Sequence, residues 1–236
     1  MVSIFHALVQ RLTHKQEAME PEDDPKTKKV FHEASDTLKP LWKNLCKNHV
    51  GSVPGVEVGV VFQSRRLLSN IGLHRPLQAG IYYLKAEETR HMVPLATNIV
   101  LSGGYEDNID NGDVIIYSGQ GGNAHDKSKK QITDQELTRG NEALRYSCMM
   151  KQPVRLIRSC EELPCGYRYD GLYNVEKSWS ENGRAGFLVY KFKLRRKQDQ
   201  PPLVSHIVRF RAVHMVRKQV LSRKTLGKDN TNFLYL

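Results

Sequence analysis

The sequence has few cysteines, and their spacing argues against the commonest structural use of clustered thiols. Its 236 residues include four cysteines, of which only Cys160 and Cys165 lie close together, as C-x4-C. A structural zinc site typically has C-x2-C pairs, or histidines at ligand spacing, and neither accompanies this pair. We therefore expect inert or buried thiols and no metal site.

Long apolar runs are also missing. No segment approaches the roughly 20 apolar residues of a membrane-spanning helix. The short apolar patch at the N-terminus is not followed by an A-x-A-like cleavage site, so a signal peptide is not expected. These features predict an intracellular protein without membrane association, while a hydrophobic content of 39% leaves enough material for a core.

Acidic residues are scarce near the C-terminus. From Arg184 onwards 13 Lys and Arg accompany two acids, whereas the first 183 residues hold 23 basic and 23 acidic residues. The whole net charge of +11 therefore arises at this end. A basic end can bind polyanions, but a solvated tail would have the same composition.

Apolar patterning divides the chain into three parts. Helices are predicted over 2–19 and 27–47, separated by the helix-breaking run MEPEDDPK. Their simplest arrangement is a helical hairpin, with a partner-binding helix as the alternative. We assign residues 1–50 to this helical segment, 51–200 to the main domain and 201–236 to a basic tail of unknown structure.

Short strands dominate the main domain. They are predicted at 56–61, 93–101, 113–117, 153–158 and 187–194. In the last of these, one face consists of four apolar residues and is the expected core side: Leu188, Tyr190, Phe192 and Leu194. Strands joined by glycine-rich loops, with few helices, favour a twisted sheet or barrel.

One helix is predicted among the strands. Thr133 followed by Glu136 has the spacing of a capping box, which would start a helix over ITDQELTRGNEALRYSC. Leu137, Leu144 and Cys148 would lie near one face of that helix.

The segment SGGYEDNIDNGDVIIYSGQGG (102–122) concentrates acids, tyrosines and glycines in a basic protein. An EF-hand loop starting at Asp107 would place Ile109 third and Ser118 twelfth, so the calcium register fails. The glycines match neither a phosphate loop nor G-x-G-x-x-G. A glycosidase-like pair of carboxylates has no supporting pattern. An ordered acidic loop joining two strands remains open.

Base recognition is a further interpretation of this segment. A carboxylate repels phosphate but accepts well from the exocyclic amino group of cytosine. Two aromatic rings can enclose an extruded base, and glycines let the backbone approach it closely.

Five motifs in the same order resemble the SRA domain, also called the YDG domain. They are GLHRPLQAGIYYL (72–84), SGGYEDNIDNGDVIIYSGQGGN (102–123), DQELTRGNEAL (134–144), PVRLIR (153–158) and YRYDGLYNVEKSW (167–179), the last of which contains the YDG tripeptide. The amino-acid sequences of these motifs are most similar to those of plant SUVH-type histone-lysine methyltransferases. The resemblance implies an α+β fold, with an SRA-type twisted, barrel-like sheet, flanking helices and the N-terminal helical hairpin before it.

The family binds double-stranded DNA that contains 5-methylcytosine and flips that base into a pocket. The resemblance implies that Tyr105 and Tyr117 are the stacking tyrosines and that Asp107 holds the Watson–Crick edge. It also implies a pocket lining from the backbone of Ser102, Gly103, Gly104, Ser118 and Gly119. The family often has an acid where this chain has Asn108, so an asparagine would have to act if that position were the reader.

The resemblance extends to the DNA outside the pocket. Gln78 matches the thumb residue that fills the space left by the flipped base. Arg75, Lys127, Lys129 and Lys130 are expected to contact the DNA backbone, although the three lysines would also suit a solvated loop. We expect the YDG tripeptide to be structural.

These motifs predict a nuclear, chromatin-associated module in gene silencing, with no cofactor. No SET or cysteine-rich pre-SET pattern is found in these 236 residues, so methyltransferase activity is not expected of this chain. The alternative is a non-catalytic or truncated member of the methyltransferase family with a regulatory role. Chromatin proteins and full-length methyltransferase relatives are possible partners. A hydrolase or metal protein using the acidic loop is a weaker interpretation.

Overall fold

The computed structural model describes residues 33, 36, 37, 40, 49–62, 64–102, 105, 107–124, 130–160 and 166–203. The chain divides into two units, Met1–Pro201 and Pro202–Leu236, and all but two of the described residues belong to the first. The four described residues before His49 are helical. The rest of the predicted N-terminal helices and nearly all of the basic tail lie outside the described residues.

The described elements follow one another in a strand-rich order. They are β1 (Val61–Phe62), α1 (Arg65–Asn70), β2 (Ile81–Leu84), a 3₁₀ turn (Ala86–Glu88), β3 (Leu95–Leu101), β4 (Ile109–Asp110), β5 (Val114–Ser118), α2 (Arg139–Met149), β6 (Pro153–Cys160), β7 (Gly166–Asn182) and β8 (Leu188–Arg196). Within these residues, no helix has the length and apolar character needed to cross a membrane.

The strands form one mixed sheet in the order β2-β3-β6-β7-β8-β5-β4, and β1 pairs with β7. The neighbours β3 and β6 are parallel, whereas the other pairs are antiparallel. Among the described strands the sheet is open, with β2 and β4 at its edges. The fold is therefore α+β as expected, but the barrel-like closure expected from the sequence is not formed by these strands.

Two apolar clusters make up the core. The first joins α1 and the segment before β1 to the sheet, and its centre includes Phe62, Leu68 and Tyr169. The second lies between the sheet and α2, where Leu144 packs with Tyr173 and other apolar residues of six strands. The second cluster also contains Tyr117 near the end of β5, so the segment that holds the candidate site is anchored directly in the core.

The predicted apolar strands are largely confirmed. The segments around β3, β5, β6 and β8 are strands, and Phe192 and Leu194 of β8 are fully buried. At 56–61, however, only Val61 belongs to a strand. The longest strand, β7, was not predicted, and neither was β2. On the face of β8 that carries lysines, Lys191 is also buried.

The helix predicted from Thr133 begins six residues later, at Arg139, with Thr138 as its N-cap. The intervening polar residues bind β8 instead of forming a helical turn. Asp134 accepts from the backbone N–H of Leu188, and Gln135 both accepts from the N–H of Tyr190 and donates its own N–H to Leu188. These tertiary hydrogen bonds override the local capping preference of Thr133.

Candidate functional site

The candidate site lies along the segment that joins the end of β3 to the end of β5. After Ser102 the chain makes a turn in which the N–H of Asn108 donates to the carbonyl of Tyr105 at 3.2 Å. The short hairpin β4–β5 then returns the chain to Ser118. Asn108, which was not among the predicted pocket residues, thus links the predicted residues Tyr105 and Ser118. Gly103 and Gly104 lie outside the described residues.

The two predicted stacking tyrosines have different environments. Tyr105 is half-buried; burial raises the pKa of its phenol, and a hydrogen bond from the backbone of Gly121 partly offsets that shift. Tyr117 is only 2% exposed. Its pKa is also raised, first by burial and then by the proximity of Tyr105. Burial is thus the main cause of both shifts, and Tyr117 is fixed in the core.

Gly80 lets Tyr117 occupy its position. A Cβ added at Gly80 would lie 2.5 Å from the Tyr117 hydroxyl oxygen. The N–H of Val100 on β3 donates to the Gly80 carbonyl at 2.7 Å, which fixes the glycine against the sheet. The loop before β2 is thereby held directly against the tyrosine of β5.

Asp107 is held by β8 and by the turn between β7 and β8. Its Oδ1 lies 3.3 Å from the backbone nitrogen of Arg184 and 3.5 Å from Nζ of Lys191. Its Oδ2 lies 2.7 Å from the point where a Cβ at Gly183 would stand. Lys191, with a side chain only 5% exposed, also donates to the Asp107 carbonyl at 2.8 Å.

Asn108 and Ser118 are hydrogen-bonded to each other at the open end of the β4–β5 hairpin. The Oδ1 of Asn108 accepts from the backbone N–H of Ser118 at 2.7 Å. Ser118 is 1% exposed, and its hydroxyl has no hydrogen-bond partner within the described part of the chain. The backbone around Ser118 is thus fixed, while its side chain retains unused hydrogen-bonding capacity.

The chain beyond Ser118 is fixed by polar side chains of the following segment. Asn141 of α2 accepts from the N–H of Gln120 at 2.8 Å and donates to its carbonyl at 2.9 Å. The side chain of Gln135 donates to the carbonyl of Gly119 at 2.8 Å. A Cβ at Gly119 would lie 2.6 Å from Asn141 Oδ1, so these contacts require glycine there.

The loop predicted as a thumb is exposed at its tip and anchored at its base. Gln78 and the preceding Leu77 are exposed. At the base, the ring of buried His74 contacts Asn98 Oδ1 at 2.5 Å through Nδ1 and the carbonyl of Ala79 at 2.9 Å through Nε2. The two contacts of His74 therefore fix the base of the loop, while Gln78 at its tip is exposed to solvent.

The predicted backbone-contact residues are only partly described. Arg75 is exposed, and its guanidinium lies 5.8 Å from the centre of the Tyr82 ring. Lys130 is exposed, and its carbonyl accepts from the N–H of Ala124 at 2.8 Å. Lys127 and Lys129 lie outside the described residues.

The YDG tripeptide, Tyr169–Gly171, is buried in the sheet, in agreement with the expected structural role. Asp170 is 1% exposed and forms ion pairs with Arg158 and Arg168, which face each other across β6 and β7. Arg158 also binds Asp110 through two hydrogen bonds of 2.7 and 2.8 Å. Asp110 is therefore a structural acid that links the β4–β5 hairpin to β6.

The described residues contain no group of three or more His, Cys, Asp or Glu side chains that could hold a metal ion. Sequence reasoning missed the most important support of the site, Lys191, because a lysine on an alternating strand is normally assigned to solvent. Gly183 and Arg184 were also missed. All three lie more than 70 residues from Asp107, and no local pattern indicates that they would meet it.

Comparison with known proteins defines the class to which this site belongs. Residues 49–200 match the SAD/SRA domain, and the chain belongs to this family. The resemblance to SUVH-type proteins is also confirmed. Histone-lysine N-methyltransferase, H3 lysine-9 specific SUVH5 of Arabidopsis thaliana is 45% identical over 210 residues, which cover 85% of this chain and 26% of that protein. The chain therefore spans about a quarter of the length of this relative.

Solved structures show the same similarity. The SUVH5 SRA domain in complex with fully methylated CG DNA is 50% identical, covers 66% of this chain and 99% of that one, and gives a TM-score of 0.58. KRYPTONITE in complex with mCHH DNA, an H3(1–15) peptide and SAH is 35% identical. It covers 86% of this chain and 43% of that one, with a TM-score of 0.68.

Proposed function

We propose that this chain binds double-stranded DNA containing 5-methylcytosine and accommodates the extruded base at the Tyr105–Ser118 site. The observation that carries the proposal is the family match over residues 49–200, which includes the whole site. A relative of 50% identity over this region has been solved with methylated DNA. The related proteins also support a nuclear, chromatin-associated role in gene silencing.

The site has the physical properties that base extrusion requires. Unstacking a base costs a few kcal/mol, which contacts to the base must offset. A preformed pocket adds no further cost for ordering its own loops. Lys191, Asn141 and the core position of Tyr117 hold the loops without a ligand. Tyr105 is half-buried, so it is the more accessible of the two tyrosines. A fixed Tyr117 would then form the rigid inner wall.

Contacts outside the pocket would supply affinity that does not depend on methylation. Gln78 stands exposed on a supported loop and would fill the space left by the base. Arg75 and the lysines at 127, 129 and 130 would contact phosphates, which makes binding strongly dependent on salt. We assign no enzymatic role to these residues; the methyltransferase activity named for the relatives belongs to proteins of which this chain covers about a quarter.

Titration with matched duplexes tests the proposal. A labelled duplex with one 5-methylcytosine and the same duplex without the methyl group are titrated with the full chain at fixed salt. Burying one methyl group contributes about 0.8 kcal/mol, or about fourfold in affinity, before any shape selection is added. We expect tighter binding of the methylated duplex by at least this factor, and Tyr105→Ala should reduce the difference. Equal affinities would contradict the proposal.

A further inference from the structure

The loop that carries Gln78 begins at Arg75 and ends at Gly80, against the hydroxyl of Tyr117. The backbone of Arg75 is fixed, because its carbonyl accepts from the hydroxyl of Ser69 at 2.8 Å. Its side chain, in contrast, is exposed. Burial therefore does not decide where the guanidinium lies, and a neighbouring group has to hold it in place.

The ring of Tyr82 on β2 lies beside the base of this loop. The guanidinium carbon of Arg75 is 5.8 Å from the ring centre, within the roughly 6 Å range of a cation–π contact. The imidazole of His74 meets the same ring edge-on, with 6.3 Å between the ring centres and 78° between the planes. Because His74 is buried and both of its ring nitrogens make hydrogen bonds, it braces Tyr82 from one side.

The backbone of β2 places this ring at the loop rather than in the core. The pairing with β3 shifts its register between Tyr82 and Tyr83, where Thr97 is the extra residue of β3. The Thr97 hydroxyl donates to the carbonyl of Tyr82 at 3.1 Å, which fixes the irregularity. Successive side chains of a strand point to opposite faces, and Tyr83 packs against the second core cluster. Tyr82 is thus left on the face of the loop.

We propose that Tyr82 is a positioning residue for DNA binding: its ring orders the Arg75 guanidinium so that the edge of that group meets a phosphate of the duplex. This inference rests on the proposed function. Stacking uses the flat face of a guanidinium, whereas its N–H donors lie in the plane and stay available to a phosphate. Among the described residues, no carboxylate forms an ion pair with Arg75.

Titration of the full chain with methylated and unmethylated duplexes tests this role. Tyr82→Leu removes the ring, so that Arg75 has to be ordered on binding. The affinities for both duplexes should fall together by about two- to fivefold, the factor to which a cation–π contact at an exposed site corresponds. The ratio of the two affinities should stay that of the parent. Tyr82→Phe keeps the ring and should bind with the affinity of the parent.

Two further measurements separate ordering of Arg75 from loss of its charge. In Tyr82→Leu the slope of log affinity against log salt should equal that of the parent, because Arg75 still neutralises its phosphate. Arg75→Ala should lower the slope by about 1. In the Arg75→Ala background, Tyr82→Leu should have no further effect on affinity, since both changes remove the same contact.

Tyr83→Leu is the matched control for a weakened β2. It should lower the unfolding midpoint, because Tyr83 packs against the core, and leave the affinity for DNA unchanged. An equal loss of affinity in Tyr83→Leu and Tyr82→Leu would assign the effect to the stability of β2 and overturn the inference. A loss from Tyr82→Leu that persists without Arg75 would overturn it as well.

The outcomes also distinguish this inference from the proposed function. If Tyr82→Leu lowers the preference for methylated DNA, the tyrosine acts on the base pocket rather than through Arg75, and the inference fails while the proposed function stands. If the parent chain shows no preference for methylated DNA, the proposed function fails. The coupling between Arg75 and Tyr82 is then still measured, because phosphate contacts are present on either duplex.

Discussion

Replacing Asp170 with asparagine should destabilise the fold more than any other single charge removal in the described sheet. Arg158 and Arg168 are directly opposite each other on β6 and β7, and Asp170 lies two residues along on the same face. Its carboxylate binds both guanidinium groups, and the three side chains are 12%, 5% and 1% exposed for Arg158, Arg168 and Asp170. Like charges opposite each other destabilise a sheet, so Asp170 neutralises an intrinsic repulsion.

The expected magnitude follows from this burial. Removing one partner of a buried ion pair costs about 3–5 kcal/mol, because the remaining charge keeps its desolvation cost. Asp110 continues to neutralise Arg158, which places the expected loss near the lower end, at about 3 kcal/mol. For a chain of this length, 1 kcal/mol corresponds to about 2–4 °C in Tm, so a decrease of roughly 6–12 °C is expected.

Urea unfolding followed by far-UV circular dichroism measures the effect. The matched control is Asp199→Asn, because the Asp199 side chain is 78% exposed and lies 3.9 Å from Lys197. That change should alter the free energy of unfolding by less than about 0.5 kcal/mol. If Asp170→Asn differs from the parent by no more than the control does, the ion pairs at the YDG tripeptide do not stabilise the fold and the reasoning is wrong.

Three further predictions concern the loops around the site. Burial, with the nearby charge of Arg65, lowers the pKa of His74 to about 4 from 6.5. The unfolded state therefore binds more protons between these values, and stability contributed by neutral His74 should be complete above about pH 6.5 and fall as the pH decreases towards 4. The loss is about 2 kcal/mol between pH 7 and 5. Between pH 7 and 5, the denaturant midpoint of His74→Asn should change less than that of the parent chain. A change equal to that of the parent would contradict the lowered pKa of His74. Gly119→Ala should cost about 1–3 kcal/mol of stability, because its Cβ would overlap Asn141 and Gln135; an unchanged Tm would show that these side chains can move freely. Arg75→Ala should reduce the slope of log affinity against log salt by about 1 on both methylated and unmethylated duplexes, and an unchanged slope would remove Arg75 from the phosphate contacts.

The sequence predicted the strands whose apolar pattern is local. The sequences of β3, β6 and β8 are short apolar or alternating runs, because most of their residues are apolar side chains that the fold buries. Such runs can be recognised without knowledge of the fold. β7 did not, since its second half carries charged and exposed residues and is stabilised by pairing with β8 along Tyr173–Asn182. The start of α2 failed for a related reason: Asp134 and Gln135 bind the distant strand β8.

The site shows the same division between local and distant information. Tyr105, Asp107, Asn108 and Ser118 lie within 14 consecutive residues, so a sequence motif could identify them together. Which of the two neighbours, Asp107 or Asn108, is available to a ligand depends on Gly183, Arg184 and Lys191, which only the folded sheet brings to the loop. Whether a side chain is free to contact a ligand depends on its tertiary contacts, so the local motif could not predict it.

Base extrusion is the central claim, and a fluorescent adenine analogue placed next to the 5-methylcytosine measures it most directly. Unstacking of the neighbouring base raises the emission of such a probe. On addition of the chain, we predict an increase with the methylated duplex, a smaller one with the unmethylated duplex, and a strong reduction for Tyr105→Ala at saturating protein. Saturated binding of the methylated duplex without a change in emission would contradict the account.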